Sequence, residues 1–530
     1  MKLQLSTDFG SQHHWERLVA FAREHGVQRL VFWGNYAAAG FTSPFLFTKY
    51  PGWLTEAERA KREGVRRKMA AAAELTRQAG IEFGYCFQVL MVPDPKRGPR
   101  EFFNEHGEPD MAGTAVYRLI EEQFDDLLTI APKLAGVELW VMECASVIIS
   151  NLQHQSISIA EIYRRIAETV FRKCRHHGLD MTVDLHTAGG HREALEGLLA
   201  AARANREIIV SADNVVGDFH LHLPFNLHLW RAAATNPVLV HFDLNGEYWG
   251  RNFYPTSALQ QYAAHLREAR QLGAVAVNGR ISTGHDAGSP HFNVLPSRRH
   301  YYPTRQEVCC FDTLGGFNAE FFCAGEDADP AKVVRDFLRR EFGEPVDELA
   351  QIFLEVEAVN ARIFYAGQNY FNAQSILPVP YLATFWALEE QLTAAPGEPF
   401  VRPDNPRAGR AAFAGWPIVP GLRATGLRAL ISEKQEAVAD AEKLASRAGV
   451  ATAHLPPEQR DFIRRHFEDW VLYAKAAAAL LEAMGRHFTG QPPKVNLPVL
   501  AAAWRQRQPH DEWRVAAVLM EWHSLITKAR

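Results

Sequence analysis

The feature that most constrains the fold is a repeated alternation of short apolar segments with amphipathic helical segments over roughly the first 340 residues. Eight segments are rich in Val, Ile, Leu and Phe and are short, as buried parallel strands are. Eight strands joined by crossover helices predict an α/β protein with a (β/α)8 TIM barrel, and an open doubly wound sheet is the structural alternative. The predicted strands are KLQLSTDF, RLVFWGN, IEFGYCFQV, VELWVME, MTVDLHT, EIIVSADN, VLVHFDLN and AVAVNGRIS.

The segments between these strands place apolar residues at helical spacing, and most of them end at or near a glycine, which favours a helix end. The predicted barrel helices are WERLVAFAREHG, EGVRRKMAAAAELTRQAG, YRLIEEQFDDLLTIAPKLAG, SIAEIYRRIAETVFRKCRHHG, HREALEGLLAAARANRE, SALQQYAAHLREARQLG and DPAKVVRDFLRREFG.

After about Gly343 the strand signals stop and long helical patterns follow, interrupted by a Pro-rich connector, PGEPFVRPDNPRAGRAAFAGWPIVPG. The predicted helices of this region are VDELAQIFLEVEAVNARIFYAG, YLATFWALEEQLTAA, LRALISEKQEAVADAEKLASRA, QRDFIRRHFEDWVLYAKAAAALLEAMGRHF and EWRVAAVLMEWHSLITKA. We therefore predict a catalytic barrel over residues 1–343 and a mainly α-helical C-terminal domain over residues 344–530.

Charge and composition narrow the range of partners. The 530 residues carry a formal net charge of -4 without a basic stripe, so nucleic acid is not an expected partner. No apolar run is long enough to cross a bilayer, and the N-terminus lacks a signal-peptide pattern, so no membrane partner is expected. The 6 cysteines form no CxxC pair, which argues against a disulfide framework or a zinc ribbon. We expect a cytoplasmic protein.

Three acidic residues stand where three different predicted strands end. Glu143 ends LWVME, Asp218 follows IIVSADNVVG, and Glu247 ends PVLVHFDLNGE. Because all strands of a parallel barrel point their C-terminal ends at one face, these side chains are expected to meet there. Hydrolysis of a glycosidic bond needs such carboxyl groups, since one protonates the leaving oxygen and another activates a water. The three acids are therefore the predicted catalytic residues.

The neighbours of these acids suggest roles for them. Trp140 and Met142 would shield Glu143 from water and raise its pKa, which would keep it protonated near neutral pH, as a general acid must be. The structural alternative is that Glu143 pairs with an Arg or Lys of the barrel. Tyr248 and Trp249 follow Glu247 and are candidates to face a sugar ring, because the C–H faces of sugars pack well on aromatic rings.

Polar and aromatic residues at the other strand ends are candidate ligand contacts. The predicted substrate-binding residues are Asp8, Trp33, Asn35, Gln88, Asp184, His186, His220, His222, Tyr248, Trp249 and Arg280. Two long loops, over residues 91–113 and 282–314, follow strands and are expected to overhang the same face and shape a substrate cleft. The alternative for both loops is a role at a subunit contact.

Several segments are similar to those of one enzyme family. EHGVQRLVFWGNY and AGIEFGYCFQV resemble its second and third strands, and GDFHLHLPFN resembles the segment that holds one of its catalytic acids. VHFDLNGEYWG resembles the segment with another, with the EY-x-G core intact at Glu247, Tyr248 and Gly250, and GGFNAEFFCAGEDADPAKVVRDFLRREFG resembles the passage into its closing helix. Over most of its length the chain thus resembles the family 67 α-glucuronidases, which are inverting glycoside hydrolases with a barrel and a helical C-terminal domain.

The resemblance implies that Asp218 and Glu247 activate water and that Glu143 takes the place of the general acid. It also favours a homodimer. The chain departs from the family in three ways: the β-rich N-terminal domain has no counterpart, His222 stands where the family has a basic residue, and Leu139 lies near the place of an expected Lys. Those basic residues serve the uronate carboxylate. The arginines that would have to replace them are Arg251, Arg280, Arg298 and Arg299.

The leading hypothesis is an inverting glycoside hydrolase that removes a terminal sugar from an oligosaccharide, with glucuronic acid or another uronic acid as a candidate sugar and with no metal or organic cofactor. A metal-dependent barrel enzyme, such as a sugar isomerase or a hydrolase, is the second hypothesis. Its candidate ligands are Glu143, Asp184, His186, Asp213, His220 and Glu247. A non-catalytic carbohydrate-binding barrel is the third hypothesis.

Overall fold

Eight parallel strands close into one barrel in the computed structural model of the chain, and this confirms the predicted fold class. The strands follow one another around the barrel in chain order, and the last strand pairs with the first. They are β1 Lys2–Asp8, β2 Arg29–Trp33, β3 Glu82–Phe87, β4 Gly136–Leu139, β5 Asp180–Asp184, β6 Ile209–Asp213, β7 Val238–Asp243 and β8 Ala276–Ile281. The structure describes residues 1–8, 12–33, 43–141, 152–185, 192–215, 219, 221, 225–281, 301–302, 308–367, 369–371, 375, 377–378, 426–509 and 514–528.

Helices form the outer layer of the barrel. They are α1 Gln12–Glu24, α2 Glu56–Gln78, α3 Ala115–Ile130, α4 Ile159–His177, α5 Arg192–Ala204, α6 Leu227–Ala233, α7 Leu259–Gln271, α8 Phe317–Ala324 and α9 Pro330–Phe342. The periodicity predicted all of these except α6 and α8. The first has only 7 residues, and the second is apolar on nearly every side, so neither shows an amphipathic pattern.

The helix ends follow ordinary capping rules. A capping box starts α2, because the Thr55 side chain accepts from the Glu58 backbone N–H and the Glu58 side chain accepts from the Thr55 backbone N–H. Ser158 caps α4 in the same position, and Gly178 ends that helix in the left-handed conformation that glycine adopts at little cost. These caps fix where each helix turns back toward the next strand.

Charged residues close the N-terminal end of the barrel. Arg29 on β2 is buried and donates to Glu82 on β3 over 2.8 Å and to Asp180 on β5 over 2.6 Å. Lys2 on β1 also donates to Glu82. Because each charge has a partner, this end can hold ionised groups without leaving a buried charge unpaired. The opposite end, where the strands finish, remains available for a site.

A helical region follows the barrel, as the sequence predicted. Its helices are α10 Asp347–Ile363, α11 Leu427–Ala451, α12 Pro457–Phe488, α13 Leu497–Arg507 and α14 Val515–Lys528. A two-stranded antiparallel ribbon, β9 Tyr365–Ala366 and β10 Asn369–Tyr370, follows α10. The sequence did not predict α13, and the predicted helix YLATFWALEEQLTAA and the Pro-rich connector lie outside the described residues. Among the described helices, none combines the length and the apolar character that a bilayer crossing requires.

A buried lysine joins two helices of this region. Lys434 on α11 is 1% exposed, and its Nζ donates to the carbonyl oxygens of Arg362 at 2.5 Å, Ile363 at 2.8 Å and Tyr365. The ammonium also lies 4.7 Å from the centre of the Phe371 ring. Burial lowers the pKa of Lys434 to about 7, whereas three carbonyl acceptors at the C-terminal end of α10 favour the charged form.

Replacing this lysine should destabilise the protein. In Lys434→Met the apolar stem remains, but three buried carbonyl oxygens lose their donor, which we expect to cost about 3 kcal/mol of unfolding free energy. Urea-induced unfolding followed by circular dichroism measures the change. Lys443→Met, on the exposed side of the same helix, is the control and should stay within about 0.5 kcal/mol of wild type. Equal midpoints for the two variants would contradict the assigned role of Lys434.

Candidate functional site

Only part of the predicted site can be placed. Glu247 lies within the described residues, at the turn that follows β7. Asp8 is described by its backbone, as the last residue of β1, where it pairs with Trp33 at the end of β2. The predicted site residues that lie outside the described residues are Glu143, Asp218, Asn35, His186, His220 and His222.

The turn that carries Glu247 is built around Asp243, the last residue of β7. The two carboxylate oxygens of Asp243 accept the backbone N–H of Asn245 at 2.9 Å and of Glu247 at 2.5 Å. Its own carbonyl oxygen accepts the Tyr262 hydroxyl at 2.5 Å. Gly246 then takes a φ of 72°, a left-handed value that other residues rarely adopt, and this reverses the chain toward the Glu247 side chain.

Asp243 and Glu247 form an electrostatically linked pair. Burial and the negative charge of Glu247 together raise the pKa of Asp243 to about 7, against the two backbone N–H groups and the Arg280 charge, which lower it. The side chain of Glu247 is 17% exposed, and its carboxylate lies 4.0 Å from the Arg251 guanidinium. A carboxylate that is partly open to solvent, beside a second carboxyl that takes up a proton near neutral pH, is suited to acid–base work.

The two aromatic residues after Glu247 are buried in this structure. Tyr248 is 5% exposed and Trp249 is 2% exposed, and the Trp249 ring lies 6.2 Å from the Tyr262 ring on α7. Both therefore pack on the protein and hold the turn against the barrel helices. Their contact with a sugar ring stays a prediction.

A second group of polar side chains lies inside the barrel. Glu138 on β4, Asp184 at the end of β5 and His241 on β7 are all buried, and one ligand atom from each lies within 4.8 Å of the others. Glu138 Oε1 is 3.4 Å from His241 Nε2. Because β4 and β7 are not neighbours in the sheet, this contact crosses the barrel interior.

Asn278 fixes the orientation of the histidine. Its Nδ2 lies 2.8 Å from His241 Nδ1 and donates to the Ser6 hydroxyl at 2.8 Å. An amide nitrogen can only donate, so Nδ1 of His241 accepts and the proton of the neutral ring sits on Nε2, which faces Glu138.

The group of Glu138, Asp184 and His241 contains more carboxyl groups than basic groups. Burial raises the pKa of Glu138 well above its ordinary value, the negative charges of Asp184 and Asp213 raise it further, and the Arg280 charge lowers it. Asp213, the last residue of β6, is also buried. Burial beside two other carboxyl groups thus favours the protonated form of Glu138 or the binding of a further cation.

Arg280 stands at the mouth of the barrel. It lies on β8 two residues beyond Asn278, and it is the one residue of that strand that is not fully buried. Its guanidinium carbon lies 4.1 Å from the Trp33 ring, 4.8 Å from the Phe219 ring and 5.3 Å from the Trp140 ring. The rings on several sides orient the guanidinium, and its charge also acts on the buried carboxyl groups of Glu138 and Asp243.

The predicted residues thus separate into two places. Trp33, Arg280 and Glu247 lie at the C-terminal ends of β2, β8 and β7, where the sequence placed them. Asp184 is 2% exposed and joins the interior group, and Gln88, also 2% exposed, directly follows β3.

Sequence reasoning missed Glu138, His241 and Asp243 as site residues. Each had a usable signal, because a charged or titratable residue inside or at the end of a short apolar strand must face a partner across the barrel. Glu143, a few positions beyond Glu138 in the same segment, drew the prediction instead because it stands at the strand's apparent end.

Comparison with known proteins adds information on the fold. No known protein family and no curated protein sequence matches the chain. Among solved structures, a GH138 enzyme targeting pectin rhamnogalacturonan II is 9% identical, with a TM-score of 0.58 over 100% of this chain. A GH115 4-O-methyl-α-glucuronidase with specificity for decorated arabinogalactans is 10% identical, with a TM-score of 0.50 over 98% of this chain.

The chain spans 61% of the length of each of these two proteins. At such low identity the likeness shows a shared fold, namely the barrel followed by a helical region. Both neighbours are glycoside hydrolases by name. These matches do not confirm the assignment to family 67 that the sequence suggested.

The raised pKa of Glu138 predicts a pH-dependent stability. The folded state holds the proton more tightly than the unfolded state, so the stabilisation is complete below the ordinary pKa and is lost as the pH rises toward the raised pKa. Glu138→Gln, which is neutral at every pH, should therefore gain stability relative to wild type between about pH 5 and about pH 8. Urea unfolding at both values measures this difference. Glu105→Gln, whose side chain is 88% exposed, is the control, and a pH-independent difference for Glu138→Gln would contradict the burial argument.

Proposed function

We propose that the chain is a glycoside hydrolase whose active site lies at the C-terminal face of the barrel and uses Glu247 as an acid–base residue. The observation that carries this proposal is the Glu247 turn, where Asp243 at the end of a barrel strand holds the backbone N–H of Glu247 and the Glu247 carboxylate is partly exposed. The fold shared with two glycoside hydrolases supports the same class. Enzymes with this barrel place their catalytic groups at this face.

The proposed chemistry divides between four carboxyl groups. Glu247, together with Asp218, activates a water, and Glu143 protonates the leaving oxygen, as the resemblance to family 67 implies. Asp243 assists because it holds the Glu247 backbone N–H, and its pKa of about 7 lets it exchange a proton near neutral pH beside the proposed base. The same resemblance favours inversion, in which the acid and the base stand about 6.5–9.5 Å apart with a water between base and sugar.

We further propose that the substrate is a terminal uronic acid on an oligosaccharide and that Arg280 binds its carboxylate. A guanidinium pairs with a carboxylate through two parallel hydrogen bonds, which a planar and oriented group forms most readily. Arg280 is oriented by the buried rings of Trp33 and Trp140. Arginine at this place would perform the task that the family assigns to basic residues absent here.

The first test is hydrolysis of a panel of aldouronic and neutral oligosaccharides, followed by proton NMR. Wild type should release a terminal sugar, and the anomer that appears first reports inversion or retention. Glu247→Gln should lower kcat by about a thousandfold, because the amide cannot accept a proton. Glu105→Gln should match wild type. If wild type binds sugars on the panel but cleaves none of them, the hydrolase proposal is wrong and a non-catalytic carbohydrate-binding barrel is favoured.

The second test concerns Arg280. Arg280→Met should raise KM for a uronyl substrate by about tenfold or more, because the carboxylate loses a charge-assisted hydrogen bond. Arg280→Lys retains the charge without the planar fork, and it should fall between wild type and Arg280→Met. The matched neutral glycoside is the control substrate. An equal effect of Arg280→Met on both substrates would remove the uronate proposal and leave the hydrolase proposal in place.

A metal-dependent barrel enzyme is the second candidate, and the Glu138, Asp184 and His241 group favours it. Two carboxylates and one imidazole within 4.8 Å of one another are a donor set that suits Mn²⁺ or Zn²⁺. Binding through Nε2, which faces Glu138, would need the ring proton of His241 on Nδ1 and the Asn278 amide turned so that its oxygen accepts that proton. Prolonged dialysis against a chelator before the panel assay separates the two candidates, because a glycosidase that relies on carboxyl groups alone keeps its turnover.

A further inference from the structure

The helical region reaches the Glu247 turn through one serine. Ser375 is fully buried, and its hydroxyl donates to the Glu247 carbonyl oxygen at 2.7 Å and accepts the Gly250 backbone N–H at 2.9 Å. A single hydroxyl therefore bridges the two sides of the turn. The turn runs over residues 244–252, and we call it the Glu247 turn.

Ser375 is itself held from α12. The Tyr473 hydroxyl donates to the Ser375 carbonyl oxygen at 2.9 Å, and Tyr473 is 1% exposed. Its ring lies 5.3 Å from the Tyr254 ring and 5.1 Å from the Phe364 ring. Ser375 has a φ of 63°, a left-handed conformation that a non-glycine residue keeps only when its surroundings enforce it.

A second contact from the helical region lies just beyond the Glu247 turn. Asn360 on α10 donates from Nδ2 to the Pro255 carbonyl oxygen at 3.0 Å. Trp470 on α12 donates to the amide oxygen of Asn360 at 2.7 Å, which fixes the way the amide points.

A third contact holds the helix that follows. The carboxylate of Glu357 on α10 accepts the backbone N–H groups of Gln260 and Gln261, each at 3.0 Å. These are first-turn N–H groups of α7, which have no partner within their own helix. The whole connection from β7 to α7 is thus held at three points by α10, α12 and Ser375.

The Glu247 turn needs such support because its own backbone is strained. Arg251 and Asn252 have φ values of 51° and 57°, which cost free energy in residues that carry a side chain. Internal bonds exist, such as the Arg251 N–H to the Gly246 carbonyl at 2.7 Å and the Asn252 amide to the Leu244 carbonyl at 2.6 Å. They leave the Glu247 carbonyl and the Gly250 N–H to be satisfied by Ser375.

We infer that the helical region positions the acid–base group of the enzyme, with Ser375 and Tyr473 as positioning residues that set where the Glu247 carboxylate stands. The inference rests on the proposed function for the role of Glu247. It assigns to the helical region a part in turnover that is separate from substrate binding. Loss of either hydroxyl should release the turn, while Arg280 and the rest of the barrel mouth stay in place.

The test uses the full chain with Ser375→Ala and Tyr473→Phe. Hydrogen–deuterium exchange of peptides that cover residues 244–252 should become faster in both variants, because the Gly250 N–H and its neighbours lose their fixed partner. On the uronyl or neutral substrate that wild type cleaves, kcat should fall about tenfold or more, and KM should change less than about twofold.

Thr76→Val is the control. The buried Thr76 hydroxyl donates to the Ala72 carbonyl oxygen at 2.7 Å in the last turns of α2, before β3 begins, so the variant loses a buried hydroxyl bond away from the Glu247 turn. Its kcat and the exchange of residues 244–252 should be unchanged, even where its unfolding midpoint in urea falls as much as that of Tyr473→Phe. A fall of kcat in Thr76→Val as large as that in Tyr473→Phe would show that general destabilisation is responsible and would overturn the inference.

Two other outcomes would also overturn it. Unchanged exchange of residues 244–252 in both variants would show that Ser375 and Tyr473 do not hold the turn. Faster exchange with unchanged kcat would show that they hold it without positioning Glu247 for the reaction. If wild type cleaves no glycoside on the panel, the proposed function fails, and the exchange rates still decide whether the helical region holds the turn.

Discussion

Hydrogen bonding between β1 and β8 closes the sheet, from the pair Lys2 and Ala276 to the pair Thr7 and Ile281. Closure brings the C-terminal ends of all strands to one face, so residues far apart in the chain come within reach of one another. Arg280 meets Trp33 because β8 ends near β2 through β1, and His241 meets Glu138 only because the interior is shared. An open sheet would place β1 and β8 at opposite edges and would give neither contact. The two groups of the site are therefore consequences of closure, and their chemistry follows from how deep in the barrel each group lies.

Depth separates the two groups electrostatically. The interior group of Glu138, Asp184 and His241 is buried, which favours the protonated form of Glu138 or a bound cation. Glu247 and Arg280 stand nearer the mouth, where each keeps some contact with solvent. A group that must change its protonation during each turnover needs access to water or to a substrate oxygen, which the interior group lacks. For this reason the hydrolase proposal rests on Glu247 and Arg280 at the mouth of the barrel. The buried group of Glu138, Asp184 and His241 is the candidate metal site of the second proposal.

The sequence predicted features that depend on neighbouring residues, such as strands and helices. It did not predict contacts between residues that are far apart in the chain. Short apolar strands and amphipathic helices carry their own periodicity, so β1 to β8 and most helices were predictable. The seven-residue α6 spans too few turns to show a period. The position of Glu247 just beyond β7 was predictable because an acid after an apolar strand stands out, whereas Glu138 was overlooked inside its strand. Nothing in the sequence around Ser375 indicates a partner 128 positions away, since the pairing depends on how the helical region folds back on the barrel.

The charged groups at the mouth, Arg280 and Glu247, are held by different parts of the molecule, so a substitution can affect one without affecting the other. Arg280 is oriented by rings from the barrel itself, so its position depends on the closed sheet. Glu247 sits on a turn whose strained backbone is completed by Ser375, Tyr473 and the helices behind them. A substitution within α10 or α12 can then alter the placement of the carboxylate without touching Arg280, the cation proposed to bind substrate. Under the proposed function, turnover depends on this placement more steeply than binding does, so substitutions in the helical region would change kcat more than KM.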